Sequence, residues 1–215
     1  MNKNLRGESL PLASTSLAAT PSPRGRPLKP QIICLTGKMA AGKNYIASKL
    51  MEEGALSLDL DQTAHQAIEM AKSQIIEAFS QKAKEMGIEL QNPDGSLNRR
   101  ELGKIVFSSP ELLKKQEDLV YPKIIELCQN FIKENAGKDL ILNATVLYKT
   151  PGLLKMCTKI LFVTANPIKR FFRAKKRDKM KSRQILSRFR SQRGLLQEYK
   201  KLAQELKIPL EIIKN

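Results

Sequence analysis

The apolar run Ile32, Ile33, Cys34, Leu35 stops at Gly37, and Gly42-Lys43-Asn44 then opens a stretch with Ile46, Ala47, Leu50 and Met51 at helical spacing. A strand, a glycine-bearing turn and a helix in that order form a phosphate-binding loop. Such a turn aims successive backbone N–H groups into one hollow at a helix start, where polyphosphate oxygens fit. Gly37, Lys38, Met39, Ala40, Ala41, Gly42, Lys43, Asn44 and Tyr45 are therefore the candidate contacts to a nucleotide. Lys43, just inside the helix, reaches the outer phosphates as a point charge. The next residue is usually Ser or Thr, with its hydroxyl on Mg²⁺, and here it is Asn44. A plain glycine turn is the competing reading, and the strand and helix on either side weigh against it.

The rest of the chain bounds the answer without naming it. At 215 residues it buries one sizeable core, and 41% hydrophobic with 27% charged residues is ordinary for a globular protein. No apolar run approaches the ~18 residues that cross a bilayer, so no membrane partner is expected. Cys34, Cys128 and Cys157 are odd in number and lack metal-ligand spacing, which points to reduced thiols and a cytoplasmic location; Cys34 reads as a core filler. The net charge is +17, and Lys169 to Lys201 holds 14 Lys or Arg against Asp178 and Glu198, which is +12 of it. That segment attracts nucleotides, coenzyme phosphates or nucleic acid, with a solvated helical face as the plain alternative.

Along the chain, residues 1–30 carry five prolines among Ser, Thr and Ala and read as a disordered tail, or as a start codon placed too early. Gly54 ends the first helix, and ALSLDL makes a second strand that delivers Asp59 and Asp61 at its carboxyl end. A long helical region follows from Gln62 to about Glu85, then the turn cluster NPDGS, then helical pattern again from Leu97. Ser109-Pro110 starts a further helix, and Thr150-Pro151 and Asn166-Pro167 repeat that start after the strand runs LILNATV and KILFVTA. PLEII is the last candidate strand. Alternating strands and helices predict an α/β fold with a doubly wound parallel sheet. The expected divisions are a nucleotide-binding core at 31–61 and 138–166, a helical stretch inserted at 62–137, basic helices at 167–204 and a core strand at 205–215.

The order of these pieces resembles the dephospho-coenzyme A kinase family, and the resemblance implies a P-loop kinase-like doubly wound parallel sheet in which 62–137 is a helical substrate-binding insertion and 167–204 a helical lid. LTGKMAAGKN stands where that family shows LTGGIGSGKS, and LDLDQTAH matches its DADxxAH at Asp59, Asp61, Ala64 and His65. DGSLNRREL and IVFSSPE look like its DGxLDRxxL and IFxxPE. NPIKRFFRAKKRD resembles its lid helix, with Arg173 and the Arg177-Asp178 pair in register. The resemblance implies ATP with Mg²⁺ as cofactors and dephospho-CoA as the small-molecule acceptor, phosphorylated on its ribose 3′-hydroxyl to give CoA and ADP. It makes Asp61, Lys43 and Arg173 catalytic, puts Arg177 on the nucleotide, and places Asp59, Asp61, His65 and Arg99 at the acceptor. Metal contact falls to Asn44, weakly or through water, and to Asp59 through water. Asp59 and Asp61 also read as simple helix caps, and His65, the single histidine, as a structural residue.

Departures from the family pattern are local. Asn44 replaces a serine, Lys38 and Ala40 replace glycines, Tyr121 replaces the histidine of a His-Pro pair, and Lys149 replaces the glutamate of a PLLxE run. If residue 38 or 40 takes positive φ, the cost is about 1–2 kcal/mol. Two other readings stay open. One is a P-loop kinase for a different nucleoside or nucleotide, which a panel of hydroxyl acceptors separates. The other is a basic nucleic-acid-binding protein on a degenerate P-loop scaffold, which is disfavoured because 5% aromatic residues and no Trp leave few stacking platforms.

Overall fold

The computed structural model describes residues 29–178 and 180–215; the expected tail lies outside the described residues except at its last two positions. The phosphate loop leaves β1 (Ile32–Gly37) and enters α1 (Lys43–Glu52). β2 (Leu56–Asp59) and α2 (Leu60–Met70) follow, then α3 (Lys72–Glu85), α4 (Arg99–Val106) and α5 (Pro110–Glu134). The chain returns through β3 (Leu140–Asn143), a 3₁₀ turn at Leu147–Lys149, α6 (Pro151–Leu154) and β4 (Lys159–Thr164). It ends with α7 (Pro167–Asp178), α8 (Ser182–Ser191), α9 (Leu195–Leu206) and β5 (Leu210–Lys214).

The five strands among the described residues are all parallel, in the order β2-β3-β1-β4-β5, so β1 lies at the centre. Period-two alternation divides β1, β3 and β4 between two cores. Ile33 and Leu35 pack with Ile141, Leu161 and Val163 under Ile46 and Ala47 of α1. Cys34, Leu142, Ile160 and Phe162 face the other way, into a larger core shared with α2 to α5 and α9. Burial on both faces is why these strands read as continuous apolar runs.

Two expectations shift in detail. The helical region expected from Gln62 to about Glu85 is two helices that meet at Ala71. No Gly or Pro marks that break; Ala67, Ala71, Ile75 and Phe79 are all fully buried across it, so packing dictates the junction. The second strand stops at Asp59 because that residue's side chain caps α2. The proline starts appear where expected: Ser109 Oγ accepts from Leu112 N–H at 3.2 Å, and Asn166 Oδ1 from Ile168 N–H at 2.8 Å. Within the segment expected as lid, α9 is seated in the main core. Its Tyr199 is fully buried, edge-on to Phe162 and to Tyr148 at 6.0 and 5.6 Å between ring centroids. α7 and α8 instead contribute Ala174 and Ile185 to a small third cluster around Met39 of the phosphate loop.

Candidate active site

Backbone geometry explains the residue types of the loop. At Gly37 β1 runs so close to β4 that a Cβ would collide with the Val163 carbonyl. Gly42, at the N-cap of α1, has φ 99°, and a Cβ there would collide with the side-chain amide of Asn215, which donates to the Ala41 carbonyl at 3.0 Å. Between them Ala40 sits at φ 56°, the left-handed region that a β-carbon disfavours, while Lys38 does not take positive φ. The turn is closed by Ala41 N–H on the Lys38 carbonyl at 3.1 Å. The first N–H groups of α1 have no intrahelical acceptors and carry the positive end of the helix dipole.

These groups line a cavity of about 290 Å³ at the carboxyl ends of β1, β2 and β3, where ligands of open α/β sheets bind. Lys38 to Asn44 form one wall. Asp59 and Asp61 face them from the β2–α2 junction, Asn143 to Thr145 come from the end of β3, and Arg177, Arg188 and Gln192 close the side toward α7 and α8. Lys43 Nζ donates to Thr145 Oγ1 at 3.0 Å. Thr145 is itself fixed, because its carbonyl accepts from Thr36 Oγ1 at 3.3 Å and from the Tyr199 hydroxyl at 3.2 Å. Burial lowers the Lys43 pKa from its ordinary value; Asp61 and Asp59 pull it back up, and Arg177 adds to the lowering.

The two aspartates have different local jobs. Asp59 Oδ1 accepts from Asp61 N–H at 2.9 Å and from Gln62 N–H at 3.4 Å, so it is the cap of α2 as well as a cavity residue. Asp61 lies in the first helical turn, exposed, and lines the same cavity across from Lys43. Arg173 lines an adjoining opening of about 490 Å³ with Ala40, Gly42, Lys176 and Arg177 rather than the main cavity. Arg177 borders both.

Besides Arg173, four expected contacts do not line the cavity: Gly37, Tyr45, His65 and Arg99. Tyr45 is 55% exposed, with the Lys49 ammonium 5.0 Å from its ring centroid, because it points off the first turn of α1. His65 is exposed a full turn farther along α2 than Asp61, and Arg99 is exposed at the start of α4. Conversely, Asn143, Thr145, Arg188 and Gln192 line it without having been singled out. Arg188 carried only the signal of a charge run, and a lone Asn, Thr or Gln carries none.

The departures from the family pattern find partners. Asn44 Oδ1 accepts from Asn143 Nδ2 at 3.3 Å. Tyr121 and Lys149 meet on one carboxylate: Glu117 Oε1 accepts from the Tyr121 hydroxyl at 2.8 Å and from Lys149 Nζ at 2.7 Å. The two donors hold the Glu117 pKa below its ordinary value against the opposing effect of burial, which is individually the largest contribution.

A parallel sheet with a phosphate loop on its central strand, carboxylates opposite the loop lysine and basic helices over the mouth define a P-loop kinase. Residues 31–206 match the family model described as dephospho-CoA kinase. A dephospho-CoA kinase of Treponema pallidum is 34% identical over 166 residues, covering 76% of this chain and 78% of the relative. One from Treponema denticola is 33% identical over 177 residues, with 80% and 78% covered. A crystal structure from Thermus thermophilus superposes with a TM-score of 0.70 at 26% identity over 87% of this chain and 89% of that one. A dephospho-CoA kinase from Campylobacter jejuni shares the fold, with a TM-score of 0.54 at 23% identity over 86% and 88%. The chain belongs to the dephospho-CoA kinase family.

Proposed function

We propose that this chain transfers the terminal phosphate of ATP to the ribose 3′-hydroxyl of dephospho-CoA, giving CoA and ADP. The observation that carries the reading is that Lys43 and Asp61 line one cavity together with the phosphate loop. In this reading the loop amides and Lys43 hold the phosphates, and Asp61 accepts the proton of the acceptor hydroxyl as it attacks. Arg177 and Arg188 meet the charge that spreads onto the transferring group, and Arg173 supports them from the adjoining opening. Acceptor recognition is assigned to the helices between residues 62 and 137.

The donor set fits Mg²⁺. Asn44 Oδ1 and the Asp59 and Asp61 carboxylates are hard oxygen ligands, and Mg²⁺ keeps several waters while using few protein groups. Asn44 and Asp59 would hold the ion, Asp59 through water, and it would supply charge neutralisation between the phosphates. The buried free thiols of Cys34, Cys128 and Cys157 suit a reducing compartment, and we place the activity in the cytoplasm.

The test is an acceptor competition in which purified protein, ATP and Mg²⁺ meet dephospho-CoA beside a panel of nucleosides and nucleotides. CoA and ADP form from dephospho-CoA in preference, and Lys43→Ala removes the product. Equal or better turnover of another hydroxyl acceptor overturns the assignment.

A further inference from the structure

Met39, the third residue of the phosphate loop, is gripped from the side of α7 and α8 by each of its groups. Its N–H donates to Gln192 Oε1 at 2.7 Å, and its carbonyl accepts from Arg170 Nε at 2.8 Å. Its side chain is buried against Ala174 and Ile185, with Phe171 and Phe189 packed around them. Gln192 is the C-cap residue of α8, and Arg170 lies near the start of α7. Neither position is near the loop in sequence.

The grip is itself braced. The Arg170 guanidinium is buried, 4.2 Å from the ring centroid of Phe189, so a residue of α8 holds the arginine of α7. Its Nη2 is buried with no hydrogen-bond partner among the described residues, which carries an uncompensated desolvation cost. That cost is out of place in a contact whose whole purpose is stability. Helical spacing adds the decisive point: Arg170 and Arg177 are seven residues apart on one face of α7, and Arg188 lies four before Gln192 on α8. The residues that grip Met39 are thus on the same helix faces as the arginines that line the cavity. On the other side of Met39 the next residue is Ala40, whose left-handed backbone relaxes unless something holds it.

We propose that Gln192 and Arg170 are positioning residues that fix the strained Met39–Ala40 segment and the arginines of α7 and α8 at one spacing before ATP arrives. The inference rests on the reading that the loop holds ATP. Its energetic basis is preorganisation: a loop already ordered loses less freedom when the phosphates dock. Arg170 acts through Met39 and Phe189 rather than on the phosphates, and the Oε1 of Gln192 is committed to the loop.

Gln192→Leu keeps the size of the side chain and removes the acceptor. Three quantities are read on parent and variant: amide hydrogen exchange at Met39 without nucleotide, ATP affinity by calorimetry, and KM for dephospho-CoA. The Met39 amide is expected to exchange at least about tenfold faster in the variant and ATP to bind about tenfold more weakly, with the acceptor KM unchanged. Gln192→Glu, which still accepts from the Met39 N–H, restores the exchange protection even where its charge weakens ATP binding. ATP affinity within about twofold of the parent, with only the melting temperature lowered, overturns the proposal, as does an unprotected Met39 amide in the parent. A parent protein that binds no ATP overturns the active-site reading instead, and the nucleotide-free exchange arm tells the two failures apart.

Discussion

Two lysines at points of special interest in this chain are held in opposite ways. Lys149 meets a carboxylate, Glu117 Oε1, at 2.7 Å. Lys43 is more deeply placed, yet its contact is a neutral hydroxyl, Thr145 Oγ1, at 3.0 Å, and among the described residues no carboxylate lies within ion-pair distance. A paired cation is a finished piece of structure. A cation whose charged form is penalised by burial, and whose nearest carboxylates sit across a cavity, is set for an anion that arrives from outside. The same contrast separates the two clusters of departures from the family pattern. Those at 121 and 149 answer one another through Glu117, while that at 40 is carried as backbone strain beside the cavity.

The contrast breaks first at Asp61. If the Lys43 side of the molecule does the chemistry, Asp61→Asn loses on the order of 10²–10³ in kcat, because the acceptor proton has nowhere to go, while ATP binding holds. Stopped-flow phosphoryl transfer with independent ATP titration measures both, and a kcat within tenfold of the parent removes Asp61 from the mechanism.

The Glu117 cluster should instead respond as a unit. Lys149→Glu faces one carboxylate with another at a largely solvent-exposed site, and we expect about 1 kcal/mol of destabilisation in urea unfolding with kcat/KM per folded molecule nearly unchanged. Adding Glu117→Lys restores most of that loss. Additive effects in this double-mutant cycle would show that the pair is not a unit.

Ala40→Gly sharpens the comparison from the other side. Relief of the left-handed φ gives about 1–2 kcal/mol, and the greater freedom of glycine in the unfolded chain takes back about 0.4–1, so a net gain of roughly 0.5–1 kcal/mol is expected. No single change in the Glu117 cluster offers a comparable gain, since each of its members already has a partner. A melting temperature that falls on this change contradicts the strain at residue 40.

What could be read in the sequence divides along the same line. The loop was legible because glycine spacing is dictated by backbone geometry, and Gly37 and Gly42 stand where a Cβ would collide. The parallel sheet was legible because strands buried on both faces, such as Ile160 to Val163, leave continuous apolar runs. Asp59 was open between cap and site residue, and in the structure it caps α2 and also lines the cavity. Gln192 and Arg170 were hidden for a physical reason: a neutral amide and one cation in a basic run look solvated, and their partner is a backbone 153 and 131 residues away. His65 and Arg99 followed motif spacing, which does not report which way a helix face turns.

A further expected effect is a pH dependence that only the unpaired lysine should show. The Lys43 ammonium is disfavoured in the free protein, so its pKa lies below the ordinary 10.5, and bound phosphates favour the charged form and raise it. ATP affinity from this group is therefore complete below the free-protein pKa and declines as pH rises through it, by at most about tenfold per pH unit until the pKa of the complex is reached. Lys43→Arg binds ATP with altered geometry but stays charged across the whole range, so its affinity should be flat where that of the parent falls. Calorimetric ATP titrations from neutral to alkaline pH, with proton uptake read from buffers of different ionisation enthalpy, measure both slopes. Parallel slopes for parent and variant would mean that Lys43 meets the nucleotide no differently from a solvated cation, and the distinction between the two lysines would then rest on geometry alone.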